Sequence, residues 1–217
     1  MPQATLRRIS LAISTLGLFS FCASQALADQ TLNYKVFKDG EPIGSEQVIL
    51  SDTSDGQTAR VVTETSVKVL FLKFHYHHDR TETWKGDALV SVKAETDDDG
   101  TPYQWLAEYE GNCFEVAGKG VPRREQCDDA WPLTLWREDV TSKTSLYSVI
   151  DAAPYKVSVA KAVDNTLEID GQTVPATHYV MTGDVTRDLW YDKDGKLLKT
   201  SFKKKGYDID FIRVDAQ

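Results

Sequence analysis

Residues 32–43 read LNYKVFKDGEPI. Leu32, Tyr34 and Val36 fall on one side of an extended chain and alternate up to Asp39-Gly40. That dipeptide suits the left-handed backbone of a tight hairpin turn, and Ile43 to Leu50 supply the returning strand. The same pattern repeats downstream. Residues 59–69, 88–94, 103–109, 156–163, 166–169, 173–181, 187–191, 196–203 and 207–214 read as strands. Asp97-Asp98-Asp99-Gly100, Gly111-Asn112, Asp170-Gly171 and Asp194-Gly195 mark turns between them. Spacing this short allows antiparallel neighbours only, because a parallel pair needs a crossover of a dozen or more residues. The expectation is an all-β chain of about ten to twelve strands, with one short helix near residues 143–150.

Several strands carry large apolar groups on both faces, as in Leu70-Phe71-Leu72 and Leu189-Trp190-Tyr191. A sheet wetted on one side alternates more cleanly, so the second face is covered or the sheet curls around a concave interior. The expected architecture is a strongly curved antiparallel sheet, a half-barrel or open barrel. Phe71, Phe74, Trp84, Trp105, Trp131, Trp136 and Trp190 are the candidates for lining its inside. They either pack a closed core or border a ligand cavity.

The chain has 217 residues, with 25 Lys+Arg against 33 Asp+Glu. An acidic chain without a basic stripe is not built for nucleic acid. Residues 1–28 form a different segment, with Arg7 and Arg8, an apolar run from Ile9 to Phe21, and Ala26-Leu27-Ala28 before the first acid, Asp29. That is the anatomy of a secretory signal peptide cleaved after Ala28. The expectation is therefore a periplasmic chain, 29–217, forming one domain without a transmembrane span. Cys22 follows the bulky Phe21 and is not placed for lipidation. Cleavage leaves Cys113 and Cys127, an even number in an oxidising compartment, which predicts a disulfide. Closing a loop of about 15 residues, it contributes about 3 kcal/mol by chain entropy.

The chemistry-bearing candidate is the run His75-Tyr76-His77-His78-Asp79-Arg80-Thr81-Glu82. On one strand, His75, His77 and Asp79 share a face, while Tyr76, His78, Arg80, Glu82 and Trp84 share the other. His75 and His77 with Asp79 or Glu82 could ligate a metal ion, and the spacing echoes a cupin motif. The glycines flanking that motif are absent, as is its second half. The alternative is a polar strand whose histidines and arginines pair with nearby acids. Nucleophile elbows, P-loops and dinucleotide fingerprints are missing, and nothing calls for a cofactor. The tract Trp131-Pro132-Leu133-Thr134-Leu135-Trp136 is either a rim for an apolar ligand or a buried connection. Lys203-Lys204-Lys205 suits a solvated strand that resists edge pairing.

These residues together resemble an uncharacterised family of bacterial exported proteins. The resemblance rests on residues 34–44, 69–78 and 82–84, on the turn 96–100, and on 131–136. It continues through Gly171, Tyr179, 182–184, 189–192 and Asp194-Gly195. It implies no established activity. By architectural analogy with half-barrel carriers of lipids and lipoproteins, it implies a protein that binds a lipid-like molecule or an envelope partner. A metal-dependent enzyme and an envelope adaptor are the alternatives, and the oligomeric state is left open.

Overall fold

The computed structural model describes residues 29–69, 71–127 and 129–214, and the expected signal segment, 1–28, lies outside them. Sixteen strands make up the described chain, more than the ten to twelve expected. The first eight are β1 (Gln30–Lys38), β2 (Glu41–Thr53), β3 (Gly56–Val69), β4 (Leu72–Lys85), β5 (Ala88–Asp98), β6 (Thr101–Glu110), β7 (Cys113–Lys119) and β8 (Arg124–Gln126). The remainder are β9 (Trp131–Pro132), β10 (Ser145–Tyr147), β11 (Pro154–Lys161), β12 (Asn165–Ile169), β13 (Gln172–Gly183), β14 (Arg187–Tyr191), β15 (Leu197–Lys204) and β16 (Tyr207–Arg213).

The surplus lies between residues 113 and 147, where strands of two to seven residues escape a pattern search tuned to longer runs. The helix expected near 143–150 is absent. Ser145, Leu146 and Tyr147 are all buried, so no polar stripe exists for a helix to turn outward. Their backbone instead pairs with Pro154–Lys156 on one side and Trp131–Pro132 on the other. The helical turn that does form is a 3-10 turn at Glu138–Ser142.

Two meanders share one sheet. Strands β1 to β8 lie side by side in chain order, and β16, β15, β14, β13, β11, β10 and β9 extend the sheet in the other direction. The meanders join where the first strand meets the last, with Tyr34 opposite Arg213 and Val36 opposite Phe211. Neighbouring pairs are antiparallel, with β9 and β10 the parallel exception. Cys113 and Cys127 form the expected disulfide, tying the β7–β8 hairpin beside the Phe114–Gln126 pair.

Curvature has local causes. Register shifts interrupt pairing at Val36/Phe37, Thr83/Trp84 and Trp190/Tyr191, and such bulges bend and twist a strand. At Gly44 and Gly118 a Cβ would run into the Glu64 and Gln104 carbonyl oxygens, so only glycine permits these close strand approaches. The sheet therefore wraps round on its buried face, bringing β4 opposite β14 and β15.

Residues 130–152 fill part of that interior as a plug. Trp131 packs edge-on to Trp84 with ring centroids 4.9 Å apart, and Trp136 meets the same ring at 6.3 Å. Trp105 Nε1 donates to the Ile150 carbonyl at 3.0 Å. Tyr147 lies 4.8 Å from the Phe114 ring, and its hydroxyl bonds that of Tyr109 at 2.6 Å. The 131–136 tract is thus a buried connection, and Leu133 and Leu135 from it face the unfilled part of the interior. No helix among the described residues is long and apolar enough to cross a membrane.

Candidate functional site

The unfilled part of the interior is a cavity of about 320 Å3. Val36, Leu133, Leu135, Leu197, Ile209 and Phe211 are among its apolar walls, contributed by both meanders and the plug. Its floor holds Val36, Thr63, His78, Arg80, Leu197 and Thr200, all buried. The half-buried Ile43, Tyr76 and Phe202 and the exposed Lys204 mark its open end, where the Lys204 ammonium sits 5.4 Å from the Tyr76 ring.

A chain of buried polar groups runs from the floor into the plug. Thr96, His78, Arg80 and Glu82 are 4%, 1%, 4% and 0% exposed, yet all are bonded. Arg80 Nη1 lies 2.9 Å from His78 Nε2. A guanidinium can only donate, so Nε2 is the acceptor and the proton resides on Nδ1, which points at Thr96 Oγ1 at 2.8 Å. Arg80 Nε donates to Glu82 Oε1 at 2.8 Å. Glu82 Oε2 accepts from Trp84 Nε1 at 3.2 Å and from Trp136 Nε1 at 3.0 Å. Every member is satisfied, so this network orients β4 and clamps the plug to it.

The neutral form of His78 is therefore built in. Burial first, and the Arg80 charge second, hold its pKa well below the ordinary histidine value. The unfolded chain takes up a proton below about pH 6.5 that the native imidazole refuses, so stability falls as pH drops through that range. Below the unfolded pKa the expected slope approaches about 1.4 kcal/mol per pH unit for as long as the native imidazole stays neutral. Glu46, whose pKa burial raises, works in the opposite sense at the acidic end of this range. Urea titrations of the wild type and His78→Gln isolate the effect, because the difference between them must shrink on acidification. A pH-independent difference would show that His78 is not the proton-linked group.

The metal candidates do not gather. His75, His77 and Asp79 point away from the cavity, where His77 Nδ1 bonds Glu64 and Asp79 binds Arg60 in two hydrogen bonds. Glu82 lies on the opposite face of β4, inside the sheet, as the alternation requires. Among the described residues, the one group of three His, Cys, Asp or Glu side chains with ligand atoms within 4.8 Å of one another is Cys113, Glu125 and Cys127. Its two sulfurs are consumed by the disulfide.

None of the seven aromatic candidates borders the cavity. Trp84, Trp105, Trp131 and Trp136 form the contact between sheet and plug, and Phe71 is 98% exposed at the β3–β4 turn. Phe74 is exposed nearby, and Trp190 stacks on His178 with ring centroids 4.5 Å apart. The aromatic rings that do line the cavity are Tyr76, Phe202 and Phe211. Alternation would have found the last two, since Phe202 follows Thr200 on one face of β15 and Phe211 precedes Arg213 on one face of β16.

Residues 34–214 match the family described as domain of unknown function DUF6134, and the chain belongs to that family. No curated protein matches it. Among solved structures, it is similar to a β-barrel-like protein of domain of unknown function DUF1849 from Brucella abortus. That likeness has a TM-score of 0.63 at 11% identity and covers 87% of this chain and 96% of the other. At such low identity the likeness concerns the fold.

Proposed function

We propose that this member of the DUF6134 family is an exported, periplasmic binding protein that takes an apolar or amphipathic small molecule, lipid-like in character, into its interior. The observation that carries this reading is the open cavity of about 320 Å3 left beside the plug. A core built only for stability packs to the density of an organic crystal. Here the plug consumes four tryptophans, and the remaining space keeps apolar walls and an open end. Ligand sites have this form, with mostly apolar linings, a few polar groups and volumes from about 300 Å3 upward. The segment preceding Asp29 and the Cys113–Cys127 bond support an oxidising compartment.

The test is uptake of a neutral fluorescent probe, N-phenylnaphthylamine, by the chain beginning at Asp29. Saturable one-to-one uptake is expected, and Ile209→Trp, which puts an indole into the cavity, should abolish it with the urea midpoint little changed. Absence of uptake by the wild type, or uptake indifferent to Ile209→Trp, would sink the reading.

A further inference from the structure

Besides the exposed Lys204 at its open end, the cavity lining holds one cation with no carboxylate at contact range among the described residues. Arg80 is paired with Glu82 and bonded to His78. Arg187, at the start of β14, borders the same cavity, and its Nε is buried without a hydrogen-bond partner. No carboxylate oxygen comes within 4.0 Å of its guanidinium among the described residues. The Phe202 ring lies against it, with its centroid 3.8 Å from the guanidinium carbon, and the Glu46 carboxyl acts on it from beyond contact range. The Thr200 hydroxyl, on the cavity floor, is also without a partner.

Arg187 is half-buried as a residue, but its Nε is fully buried, and a buried donor without an acceptor is costly. Burial accordingly pulls the Arg187 pKa down to about 10, which still leaves it charged at neutral pH. Such an arrangement is stable to evolve where an incoming group supplies the missing acceptor. The flat face of the guanidinium is occupied by Phe202, which leaves its edge of N–H donors to meet a planar anion in two parallel hydrogen bonds.

We propose that Arg187 receives the head group of the ligand, and that the ligand is a single-chain amphiphile ending in a carboxylate. This rests on the cavity being the binding site. One chain is indicated because about 320 Å3 lies at the small end of ligand sites, too little for a two-chain lipid. A carboxylate suits the site better than a doubly charged phosphate because Glu46 borders the same space. The Glu46 carboxyl accepts a hydrogen bond from Thr63 at 2.7 Å, and burial raises its pKa.

Calorimetric titration of the delipidated chain with dodecanoate, dodecanol and dodecylamine tests this. The wild type is expected to bind dodecanoate about tenfold or more tighter than dodecanol, the yield of a charge-assisted hydrogen-bond pair. Arg187→Met should bring the two to parity by weakening dodecanoate alone. Glu46→Gln, which leaves Arg187 in place, should tighten dodecanoate several-fold. Parity in the wild type, preference for the amine, or equal loss of acid and alcohol in Arg187→Met would overturn the role of Arg187 while leaving the cavity as the binding site. Failure of all three probes to bind the wild type would overturn the cavity reading as well.

Discussion

Glu82→Ala is expected to remove about 4 kcal/mol of stability, within the 3–5 kcal/mol typical of a broken buried ion pair. The carboxylate is fully buried and serves three donors from two directions. Arg80 and Trp84 reach it along β4, and Trp136 reaches it from the plug. Truncation strands a buried guanidinium and two buried indole N–H groups at once. No rearrangement of the remaining side chains supplies three acceptors, because the neighbouring His78 Nε2 is already occupied by Arg80. The loss should be accompanied by a red shift of tryptophan emission, since Trp136 loses the contact that ties it to the sheet. Glu82→Gln keeps one carbonyl acceptor but turns an amide N–H2 toward existing donors, and should fall between the wild type and alanine. A urea midpoint for Glu82→Ala implying a loss under about 1 kcal/mol would mean that the plug, not this carboxylate, organises the interior.

What the sequence revealed of this site, and what it hid, follows from the range of the interactions. The division of β4 into His75, His77 and Asp79 on one face and Tyr76, His78, Arg80, Glu82 and Trp84 on the other is a consequence of period two, and it is legible in the ten residues 75–84. Which face turns inward is not. An Arg-Glu-His face looks like solvent until Trp84 on the same face meets partners from residues 131–136, more than 45 positions away. The zipper between β1 and β16 is equally silent locally, because Tyr34 and Arg213 become neighbours only when both meanders exist. Arg187 was the least visible of all. Its significance lies in the contacts it lacks, and an arginine at the edge of a strand carries no mark that its guanidinium will lie over Phe202 with Nε buried and unpartnered.

Two aromatic candidates at opposite ends of β4 should behave very differently. Trp84 and Phe71 both belong to the run of large residues around β4, and both were candidates for an interior lining. Trp84→Ala is expected to cost about 4 kcal/mol, the usual range for a truncated core indole being 3–5 kcal/mol. The ring is 1% exposed and meets Trp131 and Trp136 edge-on, while the Arg137 guanidinium lies 4.4 Å from its centroid. Its removal also deprives Glu82 of one donor. Because the neighbouring rings belong to both sheet and plug, collapse into the void would have to drag one against the other, so the gap stays open and the full cavity term applies. Phe71→Ser removes a side chain that is 98% exposed and should change stability by no more than about 0.5 kcal/mol. Parallel urea titrations decide between the two. Equal losses would place the β3–β4 turn against some apolar surface in solution, and a small loss for Trp84→Ala would leave the plug free to detach. The predicted disparity instead ties the cavity to the plug. The open space exists because Trp84, Trp131 and Trp136 hold residues 130–152 to one side of it.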